Sequence, residues 1–382
     1  MSPSFEQGPI RPPSEAKSLL IRVTRNCPWN KCAFCHTYRG GKFEPRPLSD
    51  IKKDIETVAD IVETIKTFSW KLGEGGRISN AVIGMIYSSG NGYTEYYRSV
   101  AAWLYYGGES VFIQDADSLI IKTADIAEIL SFVRETFPFV KRITTYCRSK
   151  TAARKTPEDL IKLKEAGLSR IHVGMESGYD PVLEFIRKGV TAADHVSGGR
   201  KIKAAGISLS EYIIPGLGGA RWSRQHAEET AKIINMINPD FVRLRTLHLR
   251  PGTALYAIAQ EGAFIALGDE EILKELRLFI NNLDGIETTI VSDHILNLLE
   301  ELEGTLPHDK EKLLGIIDRY LQLSEEERLI YRLGRRRGIY RALDDLNNTQ
   351  VYLELKDIID KNMLREPADM DRYLSRLMSR YI

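Results

Sequence analysis

Six times between residues 18 and 249 a short β-type run is followed by a helical stretch, and that alternation leaves few folds open. The runs lie at 18–24, 111–114, 142–146, 170–174, 207–214 and 241–249. Helices are expected at 48–67, 123–135, 157–166, around 181–188 and 195–205, and at 222–237. In the first of them Ile51, Ile55, Val58, Val62 and Ile65 recur at the spacing that puts them on one face. Serial βα units of this kind build a parallel sheet, closed or partly closed into a barrel. The class expected is α/β, a partial (β/α)6 TIM-like barrel with an α-helical C-terminal domain.

Its expected limits are an N-terminal extension at 1–17, a barrel at 18–264 and a helical domain at 265–382. Residues 72–108, rich in Gly and Tyr, read as an insertion between the first helix and the second strand. After Phe264 the pattern is of helices only. Ser324-Glu-Glu-Glu327 is a capping box, and Pro367 suits the first turn of the last helix.

Three of the chain's four cysteines, Cys27, Cys32 and Cys35, follow the first strand. They are too tightly bunched for ordinary disulfide bridging. Three thiolates suffice to hold a four-iron, four-sulfide cluster by three corners, leaving one iron open for chemistry. Zinc is the alternative, but structural zinc takes four ligands, and His36 directly adjoins Cys35.

The motif Cys27-x4-Cys32-x2-Cys35, with Phe34 before its last cysteine, resembles that of the radical S-adenosylmethionine (SAM) superfamily. The superfamily's usual spacing is three residues then two, so this loop is longer by one. The stretch His172-Val-Gly-Met-Glu-Ser-Gly178 is similar to one in anaerobic coproporphyrinogen dehydrogenases, the branch nearest by resemblance. Thr37 stands where those enzymes carry a fourth cysteine, which argues against a porphyrinogen substrate. The resemblance runs from Leu19 to Tyr256.

It implies a [4Fe–4S] cluster on Cys27, Cys32 and Cys35, and SAM chelated to the open iron. Reductive cleavage of SAM to a 5′-deoxyadenosyl radical then abstracts hydrogen from a substrate, with an electron donor such as flavodoxin or ferredoxin. Gln114, Asp115 and Asp117 fall where the family receives the methionine amino group. Arg148 falls near the ribose or carboxylate. Glu176 and Ser177 would hold methionine or ribose, and Glu211, Pro215 and Gly216 lie where adenine sits.

Arg243 and Arg245 are two apart on the sixth run, so alternation sends both to one face. Two arginines inside a barrel are costly unless they meet an anion. A carboxylated small-molecule substrate is expected, with His294 as a further contact. Ser292 and Asp293 read equally as a helix N-cap, and Arg335-Arg336-Arg337 as a solvated charge run.

Formal charge is +1, from 53 basic and 52 acidic residues, so nothing draws the whole chain to nucleic acid or anionic lipid. No apolar run is long enough to span a bilayer. A cytoplasmic enzyme is expected, with no membrane partner and no nucleic acid. Modification of RNA or protein, and a cluster or haem-type carrier without turnover, are the alternatives.

Overall fold

The computed structural model describes residues 3–88 and 93–378. Residues 1–2 of the N-terminal extension and 89–92 of the expected insertion lie outside the described residues.

The strands are β1 (Leu19–Arg22), β2 (Thr24–Arg25), β3 (Glu44–Pro45), β4 (Ser110–Gln114), β5 (Arg142–Cys147), β6 (Leu168–Glu176), β7 (Ser208–Ile213), β8 (Phe241–Leu244), β9 (Thr289–Val291) and β10 (Gly304–Thr305). The helices are α1 (Leu48–Lys71), α2 (Asn80–Tyr87), α3 (Glu95–Tyr105), α4 (Thr123–Thr136), α5 (Ser149–Arg154), α6 (Pro157–Glu165), α7 (Asp180–Phe185) and α8 (Ala192–Ala204). They continue with α9 (Gly219–Ile237), α10 (Ala254–Gln260), α11 (Asp269–Asn281), α12 (Lys310–Gln322), α13 (Glu325–Arg336), α14 (Thr349–Lys361) and α15 (Pro367–Met378).

Eight strands form one sheet in the order β1-β4-β5-β6-β7-β8-β9-β10, while β2 and β3 pair separately. The register from β1 to β4, β5 and β6, and from β7 to β8 and β9, is parallel. The expected α/β class is the one observed. The chain divides into two compact units. The first takes the described residues of Met1–Asn30, Thr37–Val173 and Ser197–Leu209; the second takes those of Lys31–His36, Gly174–Val196 and Ser210–Ile382.

In the first unit α1 buries all five of the residues predicted to share a face, together with Ile61. Each such aliphatic side chain contributes roughly 1.5–3 kcal/mol on burial. Thr156 and Asp159 form a reciprocal capping box at the start of α6, with Pro157 in its first turn. Gly167, at φ +114°, follows the helix in a conformation that favours glycine.

The first unit also contains a buried charge network that sequence patterning did not reveal. Glu15 is fully buried and accepts two hydrogen bonds from the Arg142 guanidinium, at 2.7 and 3.0 Å. Ser18 Oγ donates to it at 2.5 Å, and His172 Nε2 lies 3.3 Å away. Burial opposes the Glu15 charge, but His172, Arg142 and Ser18 together hold its pKa below the ordinary glutamate value.

The second unit departs from the sequence reading in four places. First, the segment beyond Phe264 is not helical throughout, since β9 pairs with β8 and β10 pairs antiparallel with β9. These strands have three and two residues, too few to display a period. Second, the run expected at 241–249 ends as a strand at Leu244. There Asn297 intervenes: its Nδ2 donates to Leu244 O at 2.8 Å, and its Oδ1 accepts from Thr246 N at 2.9 Å. Third, Ser292 and Asp293 do not begin a helix; Ser292 Oγ donates to Leu299 O. Fourth, Arg335 and Arg336 are buried rather than solvated, and donate to the carbonyls of Asn297 and Leu296. The capping box at Ser324 and Glu327 is present as expected.

Candidate active site

The cysteine loop follows β2, and its three cysteines are half-buried and outside any disulfide. Within the first unit, Asn26 and Asn30 bracket Cys27 in left-handed conformations, at φ 64° and 46°. Asparagine tolerates that region better than most residues. Their side-chain amides donate to Lys42 O at 2.7 Å and Gly41 O at 3.0 Å, pinning the loop to a neighbouring turn. Arg148 lies over the Trp29 ring at 5.1 Å.

The acids at the end of β4 are buried, not solvated. Gln114 holds the N-terminal segment, accepting from Gly8 N at 2.8 Å and donating to Ile10 O at 2.7 Å. Asp115 takes hydrogen bonds from Tyr38 Oη and, at 2.9 Å, from Arg22. Asp117 accepts from Arg148 N at 3.1 Å and Thr151 Oγ1 at 2.6 Å. Burial pushes both carboxyls above the ordinary aspartate value. It pushes the Cys147 thiol well up too, leaving that cysteine a protonated core residue.

Within the second unit, the rest of the loop is fixed through its backbone. Ala33 N donates to Ile186 O at 2.8 Å, and Ala33 O accepts from Leu255 N at 2.9 Å. Phe34 packs beside that cluster, with the Lys188 ammonium 5.9 Å from its ring. Lys188 is also bound to Glu176 at 2.7 Å. Glu176, the last residue of β6, sits at φ 66°, a conformation that non-glycine residues seldom adopt away from functional sites. Glu211 is buried beside this pair, and its Oε2 has no partner among the described residues. Burial and then the Glu176 charge push Glu211 well above the ordinary range, so it carries a proton.

Ser177 is tied to His226 Nδ1 at 2.8 Å, and Gly216 N donates to Glu275 Oε1 at 2.6 Å. These bonds fix the ends of β6 and β7. Gly216, after Pro215, has φ +85°, which the tight turn there requires.

The predicted arginine pair separates. Arg243 is buried and bound to Asp293 at 2.5 Å, whereas Arg245 lies past the end of β8 and is exposed. The backbone still follows β7 there, with Arg245 N donating to Ile213 O at 3.0 Å. His294 is pushed down to about 3 by burial and by the charges of Arg245 and Arg335. Sequence reasoning gave no role to Lys188, His36, His248 or Arg250. His36 is held below the ordinary histidine value by burial, Arg250 and Arg245, and His248 by burial, Arg336 and Arg250.

Among the described residues no three His, Cys, Asp or Glu side chains converge on a single metal ion. A four-iron cluster places its thiolates on separate irons, so three cysteines outside any disulfide on one short loop fit it without such convergence.

Comparison with known proteins supplies the chemistry. The model of the Radical SAM superfamily matches residues 94–232. The match runs from α3 into α9 and takes in Gln114, Asp115, Asp117, Arg148, Glu176, Ser177, Glu211, Pro215 and Gly216. The three cysteines precede it; Arg243, Arg245 and His294 follow it. Radical SAM enzymes use a [4Fe–4S] cluster and SAM.

The chain is 25% identical over 123 residues to the tRNA uridine(34) acetyltransferase of Methanocaldococcus jannaschii, covering 31% of this chain and 22% of that protein. It is 24% identical over 257 residues to the tRNA-2-methylthio-N(6)-dimethylallyladenosine synthase of Bordetella avium, covering 66% of this chain and 45% of that protein. It thus spans less than half the length of these curated relatives. The coproporphyrinogen III oxidase of Escherichia coli overlays it with a TM-score of 0.43 at 14% identity, covering 70% of this chain and 52% of that one. Among the described residues, no helix is long and apolar enough to cross a membrane.

Proposed function

We propose that the radical SAM domain abstracts hydrogen from an anionic small organic molecule, with Cys27, Cys32 and Cys35 holding the cluster by three corners. When bound, the cluster and SAM supply a 5′-deoxyadenosyl radical; the chain's own residues bind, orient and exclude water. Glu176, Ser177, Arg148, Asp115 and Asp117 are assigned to the cofactor side, with Phe34, Glu211, Pro215 and Gly216 shaping its pocket. Gln114, with its amide engaged by Gly8 and Ile10, secures the N-terminal segment. Asp293 already matches Arg243, so we assign substrate contact to Arg245, beside a neutral His294. The supporting observation is the match of residues 94–232 to the Radical SAM superfamily beside three cysteines, none in a disulfide, on a loop pinned at both ends. A flavodoxin or ferredoxin is the natural electron donor.

Anaerobic reconstitution should load about four irons per chain, and dithionite should then convert SAM to methionine and 5′-deoxyadenosine. Changing any of the three cysteines to Ala should abolish both, while Cys147→Ala spares them. A stable cluster in Cys32→Ala, or stoichiometric zinc in protein purified without oxygen, would overturn the assignment.

RNA modification is the second reading, favoured by two curated relatives whose names are those of tRNA-modifying enzymes. Near-neutral net charge weighs against it. Stimulation of 5′-deoxyadenosine formation by transfer RNA, and not by small carboxylates, would select it.

A further inference from the structure

The reading above leaves the body of the substrate undefined. In the second unit, a small hollow of about 40 Å³ is bordered by Phe34, His36, Arg245, His248 and Arg250, with no carboxylate in its lining. Arg245 and Arg250 make no ion pair among the described residues, although both bear on His36. Two like charges around one hollow repel each other, and nothing in its wall offsets them.

Next to it lies a larger cavity of about 330 Å³. Thr246, Leu247, His248 and Leu296 line both spaces. Elsewhere its wall joins apolar Leu249, Leu267, Ile272, Leu374 and Met378 to charged Asp269, Arg332, Arg336 and Asp371. Leu374 and Met378 belong to α15, so the C-terminal helix forms one side of the cavity.

The charges on this larger wall are already matched. Asp269 binds Arg332 at 2.7 Å and Arg336 at 3.0 Å, and Asp371 binds Arg332 as well. Unmatched cations therefore border the small hollow, while the large one offers apolar side chains and charges already paired with one another. A volume near 330 Å³ falls at the lower end of the range of small-molecule sites, roughly 300–1,000 Å³.

Resting on the proposed function, we infer that the substrate is amphipathic: one anionic head, carboxylate or phosphate, meets Arg245 and Arg250, and an apolar body fills the cavity walled by α15. A guanidinium fork suits either head group. The expected partner is thus neither a wholly polar metabolite nor a nucleic acid.

Binding can be read by calorimetry on the intact protein without SAM or reductant, using octanoate, octyl phosphate, octanamide and acetate. Octanoate or octyl phosphate should bind, and whichever is tighter names the head group. Octanamide and acetate should each bind at least about tenfold more weakly, a difference of about 1.4 kcal/mol. Arg245→Gln combined with Arg250→Gln should weaken the tighter probe about tenfold or more. Leu267→Trp, on a loop outside any helix or strand, should do the same by filling the cavity.

Equal binding of octanamide, equal binding of acetate, unchanged affinity in either variant, or no binding of either anionic probe would each overturn the inference. Its failure stands apart from that of the proposed function. SAM cleavage without probe binding sinks the amphipathic substrate alone, while probe binding without SAM cleavage sinks the radical chemistry alone.

Discussion

Two glutamates are buried in this chain in opposite circumstances. Glu15 meets Arg142, Ser18 and His172, and stays charged. Glu211 faces Glu176, leaves Oε2 without a partner among the described residues, and keeps its proton. Arg142 is the first residue of β5 and Ser18 directly precedes β1, so Glu15 sits where strands begin. Glu176 ends β6, and Glu211 lies in the second half of β7. Where strands start, charge is neutralised within the chain. Near strand ends some charges are also paired, Arg22 with Asp115 and Glu176 with Lys188, but Glu211, and Arg245 and Arg250 past β8, are left for something else to complete, the pattern expected of a functional site.

The sharpest way to break this comparison is Glu15→Ala, which leaves Arg142 and buried His172 without their shared partner. We expect a loss of about 3–5 kcal/mol in urea unfolding. A loss under about 1 kcal/mol would show that the network is not what secures this end. Glu15's folded pKa is below its unfolded value, so its contribution is full above about pH 4.5 and is lost as pH falls through the folded pKa.

A smaller effect is expected from His294. Its folded pKa of about 3 lies below the unfolded value near 6.5, so the unfolded chain takes up the proton first. Stability is then full above about pH 6.5 and declines as pH drops toward 3. His294→Gln should flatten the part of the decline between pH 7 and 5, measured by thermal unfolding. Parallel curves for parent and variant would mean that Arg245 and Arg335 do not set this imidazole's charge.

How much of this was legible depended on whether a residue's role is local. The α1 face and the Ser324 capping box follow from spacing within one helix, which sequence displays directly. The cysteine loop was legible because its ligands fall within nine positions. Glu15 was not, since its partner Arg142 is 127 residues away. The groups that Arg243, Leu244 and Thr246 meet, Asp293 and Asn297, lie about fifty residues on, beyond what a strand pattern can display. Arg335 and Arg336 read as a solvated run because the carbonyls they meet belong to a segment without secondary structure.

Glu211→Gln should cost less than about 1 kcal/mol, because a protonated carboxyl and an amide have nearly the same shape and neither is charged. Glu15→Gln should cost more, because the amide cannot serve as an anion for Arg142. Equal losses for the two amides would erase the distinction between the two glutamates.

The smallest effect should come from the unmatched cations. Arg245→Gln with Arg250→Gln removes two charges that no described residue neutralises, so stability should move by no more than about 0.5 kcal/mol, or rise as their repulsion ends. Arg142→Gln is the contrasting case, since it strips Glu15 of its two shortest guanidinium contacts and should destabilise clearly. If the Arg245 and Arg250 double variant instead unfolded as readily as Arg142→Gln, those guanidiniums would be structural, and the asymmetry between strand starts and strand ends would rest on Glu211 alone.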